Sequence, residues 1–440
     1  MFKKILLGVM SAVLCFTLCG CDFFTADTAE LLTPPSLPGD LKYISQAVSE
    51  SAGKGYTLKF ASRGSYRSAI VLKDIDGDGT DEAFAFYSIT EGDVVSMHIN
   101  AVYKKDKEWV SAGEQHLVAA GVDKIELSDL DNDGVLDILV GWEIYGASEK
   151  QLAVYSFDKK AITQRFIQKY SDFTVCNLDE NEREEVLVID FNASEVRNTA
   201  TLFIIDNENA VQLGSCQLDS KVQSIGEPKV SHLSSGKQAV YKDSVKGIGA
   251  ITEVLIYEKG QLLNNLYDKE LMETNKTLRS VSFTATDINN DGILEIPVQQ
   301  EVPSVSTSEL AEKLYLTNWC TFNGEALTVQ MTAMINLLDG YYYMIPQNLV
   351  GNIAILKDTD KRIREIYSYD KENMTVGESL IYFGAVNKQR LEKGEVSIAG
   401  FTEIGNDGES VFVVGLSQKA KELGFSIDSI KANFVVYAKE

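Results

Sequence analysis

Asp74-Ile75-Asp76-Gly77-Asp78-Gly79-Thr80-Asp81-Glu82 returns as Asp129-Leu130-Asp131-Asn132-Asp133-Gly134-Val135-Leu136-Asp137, and again as Asp287-Ile288-Asn289-Asn290-Asp291-Gly292-Ile293-Leu294-Glu295. A weaker copy is Asn177-Leu178-Asp179-Glu180-Asn181-Glu182-Arg183-Glu184-Glu185, with Glu182 where the others carry Gly. The starts lie 55, 48 and 110 residues apart. The last interval is twice the first, so one further unit belongs near residue 231, where Ser231 to Ala239 carries Gly236 at position six but no acids. We expect that segment to keep the loop shape and bind no metal. Repetition at this period is the mark of a fold built from stacked identical units.

Short β-rich runs flank each acidic loop: 69–72, 124–127 and 281–284 on entry, 83–87, 138–142 and 296–298 on exit. Further runs follow at 95–103, 152–157, 201–205, 252–257 and 314–322. Each unit therefore supplies about four strands and little helix. Repeating four-stranded units is how a β-propeller protects its sheet edges. The expected fold is mainly β: a five-bladed β-propeller-like domain over 41–336, followed by a small α+β domain over 337–440. A solenoid or a pair of sandwiches is the alternative.

The loops have the chemistry of a hard-cation site. Calcium takes six to eight oxygens, and a tight loop offers them from alternate residues. The first loop presents Asp74, Asp76, Asp78, the Thr80 carbonyl and Glu82. The second presents Asp129, Asp131, Asp133, the Val135 carbonyl and Asp137. The last presents Asp287, Asn289, Asp291, the Ile293 carbonyl and Glu295. The fourth candidate is the set Asn177, Asp179, Asn181, the Arg183 carbonyl and Glu185. An EF-hand opens with the same residues but needs a bidentate Glu at position twelve and helices on both sides. Position twelve here is Ala85, Val140 and Val298, each within a strand-like run.

These loops resemble the FG-GAP or VCBS-type repeats of integrin-like propellers, in which D-x-D-x-D-G-x-x-[DE] binds calcium between strands of a blade. The resemblance covers the repeat units, from about Tyr56 to Met334, and implies about three Ca²⁺ sites, with the Asn177 loop as a candidate fourth. It is specific for calcium and fold and uninformative about activity.

Of 440 residues, 45% are apolar and only 7 are Pro, enough to bury full cores. The 64 acids against 41 Lys and Arg give a net charge of −23, which argues against a nucleic-acid partner. Lys3 and Lys4 precede an apolar run over 5–18, too short to cross a bilayer and suited to an export signal. Leu18-Cys19-Gly20-Cys21 resembles a bacterial lipobox, implying removal of 1–20 and lipidation of Cys21. Residues 21–40, with Pro34, Pro35 and Pro38, read as a tether. The whole is similar to secreted lipoproteins of Gram-positive anaerobes, held on the outer face of the cytoplasmic membrane. Cys176, Cys216 and Cys320 remain in the exported body; three allow at most one bridge, and buried small side chains are the expected role.

Beyond 337, strand-like runs at 341–345, 353–356, 363–369, 379–383 and 410–415 precede a helical stretch at 417–423 and a last strand at 434–438. Chemistry is sparse. With His98, His116 and His232 the only histidines, a zinc site or a His-dependent triad has little to draw on, and no H-E-x-x-H, G-x-S-x-G or P-loop is present. Trp109, Trp142, Trp319 and Tyr341-Tyr342-Tyr343 are expected to pack sheets rather than bind sugars. Arg67, in Gly64-Ser65-Tyr66-Arg67, is expected to form a structural salt bridge. The first functional expectation is a non-enzymatic, calcium-stabilised binding or scaffold lipoprotein for a protein or glycan. The second is a cell-surface polysaccharide hydrolase or lyase, which lacks a recognisable nucleophile or metal-base motif.

Overall fold

The central strand of each repeat is apolar at nearly every position, and the reason is burial on both faces. In the computed structural model, which describes residues 39–437 except 147–149, 207–208 and 306–312, Ala83 through Tyr87 and Ile138 through Val140 are fully inaccessible. In the second sheet one set of alternate side chains faces the first sheet and the other the third, while in the first sheet one set faces the second. Phe84, Phe86, Met97 and Ile99 meet Ile125, Val140 and Trp142 between the first and second sheets. Leu139, Leu152 and Val154 meet Phe173, Val186 and Val188 between the second and third. Each such large apolar side chain removed from water stabilises the fold by about 1.5–3 kcal/mol.

The described residues form six antiparallel sheets that follow one another along the chain, a β-propeller-type arrangement. The first holds Thr57–Leu58, Ile70–Lys73, Glu82–Glu91, Val94–Lys105 and Glu108–Val118. The second runs from Gly121–Ser128 to Ile162–Tyr170, and the third from Asp172–Cys176 to Asn209–Gln217. The fourth runs from Ser224–Ile225 to Gln261–Asn264. The fifth comprises Ile296–Val302, Leu314–Phe322, Leu327–Asn336 and Tyr341–Met344, closed by Phe434–Val436. The sixth contains Ile353–Asp358, Ile363–Asp370, Thr375–Asn387, Ser410–Leu416 and, outermost, Thr402–Asn406. Five apolar cores join neighbours in this series, and among the described residues none joins the sixth sheet to the first. The outer face of the first sheet is covered by a helix unforeseen from sequence, Leu41–Ala52, which lays Ile44, Ala47 and Val48 on Ala83, Ala85 and Val102.

The expected division at 336/337 is corrected. It falls in the turn between Leu327–Asn336 and Tyr341–Met344, which pair in one sheet, and the chain's last described strand pairs with the second of them. Val302, Leu316 and Met334 share one core with Ile355, Ile366 and Phe383. The α+β segment is therefore packed as a sixth sheet rather than set apart. Residues 281–284, expected as a strand, do not pair as one; the last acidic loop is entered through a single bridge, Thr286 with Glu295.

The three tryptophans are packed, with Trp142 at 0%, Trp319 at 5% and Trp109 at 9% exposure, and Tyr341 and Tyr343 are buried too. Cys176, Cys216 and Cys320 are free thiols, the first and last buried. No described helix is long and apolar enough to cross a membrane. The expected signal, the expected lipidation site Cys21 and the expected tether up to residue 38 lie outside the described residues.

One cation ties the first four sheets together. Ala61 bridges in parallel to Val122, placing Arg63 beside the innermost strand of the second sheet. Arg63 grips Asp123 with two hydrogen bonds of 2.8 and 3.0 Å and Asp172 of the third sheet with two of 2.9 and 3.0 Å. It also reaches Glu227, at the fourth, at 2.9 Å. Burial would raise the Asp123 carboxyl, but Arg63, Lys150 and Tyr170 outweigh it and hold it at about 2. Arg67 serves a smaller purpose, donating to the Ser62 carbonyl at 2.6 Å.

Candidate metal centres

The acidic loops share one internal scaffold. The apolar residue at position two is a pin: Ile75, Leu130 and Leu178 each enter the core that faces the next sheet. Its backbone N–H donates to the carboxylate at position nine: Ile75 to Glu82 at 3.2 Å, Leu130 to Asp137 at 3.4 Å, Leu178 to Glu185 at 2.7 Å and Ile288 to Glu295 at 3.0 Å. The N–H of position seven donates to the side chain of position five, Thr80 to Asp78, Val135 to Asp133 and Ile293 to Asp291 each at 2.8 Å, and Arg183 to Asn181 at 2.6 Å. In the three loops with Gly at six, that N–H donates to the acid at position one: Gly79 to Asp74, Gly134 to Asp129 and Gly292 to Asp287, at 2.8–2.9 Å. Those glycines sit at φ of 86–88°, which a side chain resists, and Glu182 is not found in this conformation.

This scaffold turns the acids toward one another. Ligand oxygens of Asp74, Asp76 and Asp78 all lie within 4.8 Å, as do those of Asp129, Asp131 and Asp133. Position nine is the buried member in all four loops, with Glu82, Asp137, Glu185 and Glu295 at 0–3% exposure. Burial pushes each of these carboxyls upward, Asp137 to about 6 and Glu185 to about 8, and neighbouring acids push in the same direction. Asp74 Oδ1, Asp131 Oδ1, Asn177 Oδ1 and Glu185 Oε1 are buried without a hydrogen-bond partner. Buried oxygens without partners are costly unless a cation or water meets them. The donor set is all oxygen, which fits calcium and does not fit the softer transition metals.

Two loops carry a basic side chain that sequence reading missed. Lys159, on the outer hairpin of the second sheet, lies 2.5 Å from Asp76 and 2.6 Å from Asp78. Arg165, on the outermost strand of that sheet, lies 2.6 Å from Asp131 and 3.1 Å from Asp137. In the last loop the Asn289 amide nitrogen points to Asp291 and Glu295, at 2.9 and 3.1 Å, in place of a charge. Arg183 turns its guanidinium away from its own loop, to the Ile205 carbonyl at 2.8 Å. Counting carboxylates alone therefore misjudges the local charge of the first two loops.

The acid-free segment does not keep the loop shape. Lys229–His232 pairs directly with Gln238–Lys246, and Leu233 and Lys237 close a short turn around Gly236. It is a β-hairpin, tight because nothing has to be enclosed. Neighbouring loops touch: Leu136 N–H donates to the Ile75 carbonyl at 2.8 Å, and Ser234 of the hairpin donates to Phe322 of the fifth sheet at 3.0 Å.

No family model and no curated protein matches the chain. Among solved structures, it is similar to the exotype rhamnogalacturonan lyase YesX, with 13% identity and a TM-score of 0.29. The match covers 75% of this chain and 66% of that one, just under two thirds. A Bacillus licheniformis rhamnogalacturonan lyase matches at 9% identity and a TM-score of 0.29, over 82% of this chain and 91% of its own. The β-propeller domain of a trilobed protease from Pyrococcus furiosus matches at 12% identity and 0.26, over 73% and 90%.

Proposed function

We propose that the chain is a calcium-stabilised, propeller-type binding or scaffold module, lipid-anchored through Cys21 on the outer face of the cytoplasmic membrane and presenting its loops to a protein or glycan. The observation that carries the calcium reading is the recurrence of one scaffold in four loops, each with a buried acid at position nine. Asp74, Asp76, Asp78 and Glu82 would hold one ion, Asp129, Asp131, Asp133 and Asp137 a second, and Asp287, Asn289, Asp291 and Glu295 a third. Asn177, Asp179, Asn181 and Glu185 form the poorest set. A bound ion supplies charge neutralisation at each loop; the loops pin neighbouring sheets, so its role is mechanical rather than catalytic.

Calorimetric titration of the calcium-stripped chain tests this reading, with about three equivalents taken up and a melting temperature that falls in excess EGTA. An ion present at 100 times its Kd adds about 2.7 kcal/mol. No uptake, together with an unchanged melt in EGTA, overturns it. The ligand is sought by pull-down from cell envelope and on a glycan panel; cleavage of a panel member would favour the hydrolase or lyase reading instead.

A further inference from the structure

Two of the three histidines meet on the outer face of the first sheet. His98, on Val94–Lys105, stands directly opposite His116, on Glu108–Val118, and opposite Tyr87 on its other side. Their rings form one stack, Tyr87 to His98 at 5.1 Å and His98 to His116 at 5.0 Å. Glu114 projects from the same face as His116, two residues along the strand. The helix Leu41–Ala52 covers this face over Ala83, Ala85 and Val102. His116 stays exposed, while His98 retains 5% exposure.

The polar atoms are arranged as a ligand set with its supporting groups. His98 Nε2 is engaged by Ser96 Oγ at 2.8 Å, which leaves Nδ1 as the free nitrogen. That buried Nδ1 makes no hydrogen bond, although Glu114 Oε1 lies 3.3 Å from it. The other Glu114 oxygen accepts from the Tyr87 hydroxyl. Ligand atoms of His98, Glu114 and His116 lie within 4.8 Å of one another. With metal–ligand bonds of about 2.0–2.1 Å, a tetrahedral site separates its donors by roughly 3.3–3.4 Å, the spacing already present between His98 and Glu114. The third donor, on exposed His116, lies within 4.8 Å of the other two. Hydroxyl groups behind the ligands, here Ser96 and Tyr87, fix ring and carboxylate orientation as outer partners do in metal sites.

We propose that His98, Glu114 and His116 bind a divalent transition-metal ion of the zinc class, with a fourth position open to solvent. The site is distinct in chemistry from the oxygen-only acidic loops: imidazole nitrogen suits zinc and is a poor ligand for calcium. Three protein ligands with one open position can fix an exogenous group, so the first sheet can carry a ligand-binding function separate from the calcium loops.

The test uses the full chain in detergent with calcium in excess, so that the acidic loops are filled. Zinc titration should saturate at one equivalent through histidine, and cobalt should give visible bands of low-symmetry coordination. With only three histidines, ring NMR separates the sources: His98 and His116 should shift on zinc addition and His232 should not. His116→Ala and Glu114→Gln should each weaken zinc binding at least about tenfold. His98 is buried and its replacement could unfold the sheet, so these two variants and the ring signals carry the test. Zinc affinity unchanged in both variants, or shifts confined to His232, would overturn the proposal.

Discussion

Replacing Arg63 with Met tests whether one guanidinium holds the first sheets in place. The methionine keeps the apolar stem and removes four charge-assisted bonds to Asp123 and Asp172, whose side chains are 2% and 7% exposed. Asp123 keeps Lys150 at 2.5 Å and Tyr170 at 2.7 Å, whereas Asp172 is left with the Phe173 N–H. Stranding one partner of a buried pair costs about 3–5 kcal/mol. The depression of the Asp123 carboxyl from 3.8 to about 2 gives a second measure, about 2 kcal/mol at 1.36 kcal/mol per pK unit, shared among its three partners. Because the folded value is the lower one, this contribution is present above pH 4 and disappears as pH falls through 2. Urea denaturation at pH 7 should show the full loss in Arg63→Met and a shallower decline toward pH 2 than the native chain. Arg63→Met with Asp172→Asn should recover part of it, while Glu227→Gln, at an exposed carboxylate, should cost under ~1 kcal/mol. An Arg63→Met protein within ~1 kcal/mol of native would refute the hub.

Lys159→Ala should tighten calcium binding at the first loop by about two- to fivefold, since an ion there displaces the ammonium from Asp76 and Asp78; site-resolved titration checks it. Asp131→Asn with Asp133→Asn should remove most of one site's share of the calcium-dependent melt, and Asp179→Asn much less. Glu185, raised by burial from 4.5 to about 8, should make the calcium-free protein most stable below pH 4.5 and progressively less so up to pH 8; Glu185→Gln should flatten that decline in EGTA melts. Ending the chain at 336 strips the partners of Val302, Leu316 and Met334, so this fragment should bind a hydrophobic dye and melt without a sharp transition.

How legible the chain was depends on how local the physics is. The loops could be read because each donor has a fixed place in nine residues, and the strands because burial on both faces leaves a continuous apolar run. The sixth sheet carries no such loop, so the repeat pattern ends at 336 although Tyr341–Met344 continues the same sheet. Reading for isolated charge singled out Arg67 and passed over Arg63, because the hub's partners come from three other sheets. The hint available was an acid in each of the inner strands Gly121–Ser128 and Asp172–Cys176, at positions that cannot face water.

The histidine pair was hidden by a single residue of register. Asp106 and Lys107, both at positive φ, form the two-residue turn that sets Lys105 opposite Glu108. Carried strictly down the hairpin, that register would put His98 opposite Gln115 and turn His116 to the other face. A bulge between Ala101 and Val102 inserts one residue, so His98 meets His116 and Glu114 joins them. Bulges re-aim side chains, and this one converts two scattered histidines and a glutamate into a cluster on the face partly covered by Leu41–Ala52. Deleting Gln115, beyond the bulge, should set His116 opposite Ile99 on the other face and abolish histidine-dependent zinc binding while leaving calcium uptake by the acidic loops intact, whereas deleting the bulged Ala112 keeps His98 opposite His116 and should retain it. Retained one-to-one zinc binding through His98 and His116 in a folded Gln115 deletion variant would show that this register does not assemble the site.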